Sequence, residues 1–181
     1  REKMKRKWKL WMIAFVVFVM TDIMMQSNRA EAKKRTFTVS SKTIPCSSSY
    51  RQKPYYNKKT KQYYMINSYM RRLSTTGGTL KLKKGTYKIP GTIYVPSNVK
   101  IVCANGVKIK KTKATGTKKV KSTKFLFQMI SEEKASGKQN TGKYAASKNA
   151  SIQGNGKVIF DMGNVNGATA VFVGHASGIT V

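Results

Sequence analysis

Short apolar doublets, two residues apart and each cut off by a turn, constrain this chain more than any other feature. They read Leu80/Leu82, Tyr87/Ile89, Ile93/Val95, Val99/Ile101 and Val107/Ile109, and a period of two is the signature of a strand with one buried face. Gly85, Pro90-Gly91, Pro96-Ser97-Asn98 and Asn105-Gly106 stand between them, the residue types that set the backbone angles of tight turns. Phe125/Phe127, Ala150/Ile152, Val158/Phe160 and Val171/Val173 continue the series. The segment 77–181 is therefore predicted to be all-β, built from very short strands.

Taken in threes, the strands form rungs that begin near Leu80, Val99 and Ala150, with a fourth opening at Ile179. One phrase marks the rung starts: Ser97-Asn98-Val99-Lys100-Ile101 returns loosely as Lys148-Asn149-Ala150-Ser151-Ile152 and as Ser177-Gly178-Ile179-Thr180-Val181. A repeat that cannot bury its own apolar face and stacks on its neighbours is the logic of a solenoid. Insertions at Lys110–Lys124 and Ser131–Lys148 account for the uneven spacing. Ahead of the rungs, Tyr64, Met65, Tyr69, Met70 and Leu73 recur at helical spacing, so one amphipathic helix is predicted between Thr60 and Leu73, ended by Gly77-Gly78. The segment 33–59 is polar and turn-rich and reads as a linker or a loosely wrapped arm.

The runs Gly77-Gly78-Thr79-Leu80, Gly85-Thr86-Tyr87, Val95-Pro96-Ser97-Asn98-Val99 and Ile152-Gln153-Gly154-Asn155-Gly156, ending at Asp161, resemble the opening of pectate-lyase-like proteins. That resemblance covers roughly 60–181 and implies a right-handed parallel β-helix, with 60–76 as its N-terminal capping helix. It also implies polysaccharide as the substrate class, because the superfamily includes pectate lyases and polygalacturonase-type hydrolases. The matching phrases are turn and core positions, so they assign no catalytic residue.

At the other end, Arg1, Lys3, Lys5, Arg6, Lys7 and Lys9 precede the apolar run Leu10–Met20. That run is too short to cross a bilayer, which takes about 20 apolar residues. A basic start, a short apolar centre and the small-residue pattern Ala30-Glu31-Ala32 describe a secretory leader. Cleavage is expected between Ala32 and Lys33, leaving 1–32 as a signal helix; an uncleaved anchor extended by Ile23, Met24 and Met25 is the alternative. The protein is thus expected to be secreted or at the cell surface, touching membrane only through its leader. The opening at Arg1 and the stop inside a strand phrase at Val181 suggest the N-terminal part of a longer protein, one that aggregates or folds only partly as this chain alone.

Thirty-six Lys plus Arg stand against 6 Asp plus Glu, a formal charge of +30, so an anionic partner is expected. Outside the cell this points to anionic polysaccharide or a cell-wall polymer. Nucleic acid is disfavoured, since beyond the leader only Arg35, Arg51, Arg71 and Arg72 carry the guanidinium fork suited to base edges. The lysine-bearing loop Lys110, Lys111, Lys113, Lys118, Lys119, Lys121 and Lys124 is the candidate binding element, with a solvated insertion as the alternative. His175, the one histidine, is either a substrate contact or a turn residue.

Catalysis is harder to place. Glycoside hydrolysis needs two carboxylates flanking the bond, and beyond the leader the acids are Glu132, Glu133 and Asp161. Lyases of the resembling fold hold calcium with acidic clusters, and calcium takes about six to eight oxygen ligands. No such cluster exists here, so no cofactor is expected, and calcium only with ligands beyond the chain. Any lyase or hydrolase site is likewise expected past Val181; the alternative is a non-catalytic surface binding or adhesion protein. Cys46 and Cys103 form either one disulfide or two separate thiols.

Overall fold

Three parallel sheets, visited in strict rotation, organise the chain. A computed structural model describes residues 34–137 and 146–181; the leader, its Ala32/Lys33 junction and part of the second insertion lie outside the described residues. Strand β1 is Arg35–Val39, and helices α1 (Ser48–Arg51) and α2 (Lys61–Leu73) follow. The rotation then runs β2 (Gly78–Leu82), β3 (Gly85–Ile89) and β4 (Ile93–Tyr94), followed by β5 (Val99–Cys103), β6 (Val107–Lys111) and β7 (Phe125–Gln128). A short helix α3 (Glu132–Ala135) precedes the third pass of β8 (Ser151–Gly154), β9 (Val158–Asp161) and β10 (Thr169–Phe172). The first sheet is ordered β1-β2-β5-β8, the second β3-β6-β9 and the third β4-β7-β10. Bridges from Lys148 to Ser177 and from Ser151 to Thr180 begin a fourth pass.

Register stacks like on like. Leu80 pairs with Ile101 and Ile101 with Ile152; Tyr87 pairs with Ile109 and Ile109 with Phe160; Ile93 pairs with Phe127 and Phe127 with Val171. These columns, with Met65, Ile66, Met70 and Leu73 from α2, form one buried cluster, against which the partly buried Phe160 and Val171 pack. Parallel strands buried by their neighbours need such a continuous apolar interior. Tyr87 sits wholly inside it because its hydroxyl donates to the Lys83 carbonyl at 2.7 Å.

The bend before the first sheet repeats in every pass. Gly77, Asn98, Asn149 and Gly178 all hold positive φ there, between 53° and 67°, a region open to glycine and tolerated by asparagine. Their backbones are linked: Gly78 N donates to Asn98 O, Asn98 N to Lys148 O, and Asn149 N to Ser177 O, at 2.9 to 3.0 Å. Gly78 itself lies against β1, where a Cβ would collide with the Arg35 carbonyl oxygen.

Helix α2 closes one end of the stack. Gln62 accepts from the amide of Lys88 at 2.6 Å and donates to the Thr86 carbonyl at 3.3 Å, so a side-chain amide replaces a neighbouring strand for β3. Asn67 does the same for β4, donating to Thr92 O and accepting from Tyr94 N, both at 3.3 Å. Strand β1 covers the first sheet. The edges of β2, β3 and β4 at this end are therefore occupied, as exposed strand edges otherwise invite association.

Three expectations need correction. The segment 33–59 is not a loose arm: Phe37 and Val39 of β1 pair with Leu80 and Leu82, and Tyr50 is buried against Tyr64 with ring centroids 6.1 Å apart. A single doublet with threonines facing outward gave too little periodicity to register. The last doublet is also misplaced, for β10 ends at Phe172 and Val173 is exposed. Finally, Lys111 does not belong to an exposed loop. It is the inward-facing end of β6 and is 1% exposed.

Candidate functional site

Alternation along the second sheet decides which lysines meet solvent. Val107, Ile109 and Lys111 of β6 point inward, so Lys108 and Lys110 point out. Likewise Thr86 and Lys88 point out from β3, and Ile159 and Asp161 from β9. Pairing places Lys88 beside Lys110 and Lys110 beside Asp161 in one row, with Thr86, Lys108 and Ile159 in the next. Adjacent strands are about 4.8 Å apart, so two ammonium groups in one row repel unless an anion lies between them.

One anion is built in. Asp161 Oδ2 lies 2.8 Å from Lys108 Nζ and 3.9 Å from Lys110 Nζ, while its Oδ1 accepts from the Gly163 amide at 2.8 Å. The Lys108 hydrogen bond, followed by that amide, holds this carboxyl below its ordinary range.

The other end of the row opens into a cleft of about 470 Å³ lined by Lys58, Lys59, Lys88, Lys110, Thr112 and Ala114. Its far wall is a fixed turn. Asn57 Oδ1 accepts from Lys59 N at 2.8 Å, and Thr60 Oγ1 accepts from Asn57 N at 2.9 Å while donating to Tyr55 O at 2.7 Å. The Asn57 side chain also donates to Thr115 O at 3.0 Å, tying this turn to the 112–124 loop. Lys58 and Lys59 are thereby carried toward Lys88 and Lys110 across the cleft. No acid lines it, and no ion pair engages Lys58, Lys59 or Lys88 among the described residues. On the other side of Lys110, Thr112 and Ala114 lies a second hollow of about 350 Å³, which reaches Lys113, Gly163, Asn164 and Val165.

The lysines expected to bind divide accordingly. Lys110 lines the cleft and Lys113 the second hollow. Lys118, Lys119, Lys121 and Lys124 are exposed farther along the loop and line neither. Lys111 also lines the second hollow, but its charge is held elsewhere: its Nζ donates to Gly91 O at 2.6 Å, Phe125 O at 2.7 Å and Thr123 Oγ1 at 3.0 Å. Burial pushes this ammonium down to about 7, against the three acceptors, which match its three N–H donors and favour the charge. His175 is exposed in a turn at φ 55° and lines neither hollow.

Lys58, Lys59, Lys88 and Lys108 were missed. The outward positions of β3 and β6 could have shown Lys88 and Lys108, since each sits between two inward apolar residues. Nothing in the sequence places the 57–60 turn across from them.

The remaining acids are occupied on α3. Glu132 Oε2 accepts from the Tyr50 hydroxyl at 3.1 Å and Glu133 lies 3.7 Å from Arg71. Burial first, then the Glu132 charge, pushes the Tyr50 phenol up to about 12. No group of three or more His, Cys, Asp or Glu suited to a metal exists among the described residues. Cys46 and Cys103 are separate thiols in the structure. Cys46 Sγ donates to Ser68 O at 3.3 Å on α2, whereas Cys103 fills the column between Leu82 and Gly154, where burial raises its thiol to about 11.

No protein-family model matches the chain, and searches of curated proteins and of solved structures return no significant match.

Proposed function

We propose that this is an exported right-handed parallel β-helix of the pectate-lyase-like kind, and that it binds acidic polysaccharide through the lysine-lined cleft on its second sheet. Rotation through three parallel sheets, with α2 closing one end, supports the architecture; β-strand crossovers are right-handed in nearly all known cases. The basic leader-like start supports export. The observation that carries the binding reading is the cleft itself, where Lys58, Lys59, Lys88 and Lys110 face one another with no acid among them.

Geometry favours binding over bond cleavage within these residues. A hydrolase sets two carboxylates about 5 to 10 Å apart across the bond, while Asp161 is held by lysines on the second sheet and Glu132 and Glu133 by Tyr50 and Arg71 beside α3. Lyase or hydrolase activity would rest on residues outside this chain. A non-catalytic surface protein is the alternative outcome.

Titration with polygalacturonate and with neutral dextran, at low and high salt, tests the proposal. Binding to polygalacturonate alone is expected, weakened by salt because screening acts on exposed charges, and reduced about tenfold or more in a Lys58→Gln/Lys59→Gln/Lys88→Gln variant, at roughly 0.5–1 kcal/mol per exposed contact. Equal binding to dextran, or an unaffected triple variant, would overturn it.

A further inference from the structure

The lysine row is already partly filled by the protein's own carboxylate, and this has a consequence for affinity. Asp161 is the one acid on the second sheet, and it sits in register with Lys110 and Lys88. Its hold is uneven. Lys108 is engaged at hydrogen-bond distance, 2.8 Å, but Lys110 lies at 3.9 Å, so Lys110 is attracted without being locked. The Gly163 amide donates to the other carboxylate oxygen, and Gly163 itself bends at φ 57°, where a Cβ would lie 3.0 Å from the Lys111 carbonyl oxygen. These contacts orient Asp161 toward the row. Side-chain exposures of 42% for Lys108, 45% for Lys110 and 24% for Asp161 leave the cluster reachable by a ligand.

We propose that Asp161 is an internal competitor for Lys110, setting a ceiling on how tightly the cleft holds a carboxylate-bearing polysaccharide. The inference rests on the cleft being that polymer's site. The ligand class follows from the occupant: a carboxylate accepting from lysines on one strand is what a uronate unit presents. With Asp161 in place, the ligand shares Lys110 and meets a negative charge where the row reaches β9. Without it, Lys108 and Lys110 are both released to the ligand.

Asp161→Asn is the informative variant, because the asparagine oxygen can still accept from Gly163 N; Asp161→Ser, which keeps an acceptor there in a smaller side chain, guards against a local packing fault. Polygalacturonate oligomers are titrated into the whole chain at low salt. Both variants should bind about two- to fivefold tighter, the range of one exposed ion pair. Glu133→Gln changes net charge equally from a different place and should leave affinity unchanged. Equal tightening by Glu133→Gln would show a general charge effect and overturn the inference, as would no tightening in either Asp161 variant. Tightening toward polyphosphate but not polygalacturonate would overturn the carboxylate assignment. If Lys88→Gln still weakens binding in those cases, the cleft reading survives; if Lys88→Gln and Lys110→Gln are both silent, the cleft reading itself fails.

Discussion

The side-chain oxygen of Gln62 lies 2.6 Å from the backbone nitrogen of Lys88, so a helix residue completes the hydrogen bonding of a strand twenty-six positions later. Asn67 repeats the arrangement on β4. The two contacts differ in burial, and that sets their weight. Asn67 is 3% exposed, so Asn67→Ala strands a donor and an acceptor away from water and should cost about 2 kcal/mol or more. Gln62 is more open, and Gln62→Ala should cost under about 1 kcal/mol. Urea unfolding of the two variants checks the order; a larger loss at Gln62 would contradict it.

Lys111 should make stability depend on pH in a definite direction. Its folded value, about 7, lies below the ordinary 10.5, so between them the unfolded chain holds a proton that the folded chain releases. Stability from this group therefore rises as pH goes from 7 to 10.5, and the cost of the buried charge is fully present below 7. Lys111→Met removes that cost, about 3 to 5 kcal/mol at most, but strands the Gly91 carbonyl at about 1 to 3 kcal/mol. Phe125 O and Thr123 Oγ1 keep Thr92 as partner. The variant is expected to match or exceed the parent at pH 6 and fall below it at pH 10. A stability difference that does not change with pH would refute the role given to the buried amine.

Gly78 is a position where one methyl group should detach a strand. An alanine there would meet the Arg35 carbonyl and hold a φ of 129°, which non-glycine residues rarely adopt. Backbone cannot yield as a side-chain tip does. In Gly78→Ala the β1 amides are expected to exchange with solvent far faster than those of β5, measured by hydrogen–deuterium exchange. Unchanged protection over Arg35–Val39 would show that the edge can absorb the methyl.

Thiol labelling distinguishes the two cysteines. Cys46 is half-buried and Cys103 wholly buried with its thiol raised to about 11, and the thiolate is the reactive form. At pH 8 a thiol reagent should modify Cys46 alone in the native protein and both in urea. Failure to label either in urea would mean that the pair is joined.

The strands were legible because burial on one face writes itself into a period of two, and because Gly, Pro and Asn mark where the backbone must turn. Asn98 and Asn149 could be seen as turn residues, and both hold positive φ. What stayed hidden depends on partners distant in sequence. Lys111 reads as one more cation in a basic run; its partners are two backbone carbonyls and a hydroxyl, and carbonyls leave no trace in residue identity. Lys58 and Lys59 join Lys88 only because Asn57 fastens their turn to Thr115, a contact across 58 positions. The residues of the cleft were visible singly, but not their convergence.

The links between the first and second sheets stay short in each pass, from Leu82 to Gly85, Cys103 to Val107 and Gly154 to Val158. By contrast, the link from β6 to β7 runs from Lys111 to Phe125. Extra chain is thus admitted at one corner and refused at another. A peptide tag or guest loop grafted between Lys118 and Lys121 should leave the strand pairing intact, whereas one of equal length placed between Leu82 and Gly85 would pull the first sheet away from the second, on which the lysines are ordered.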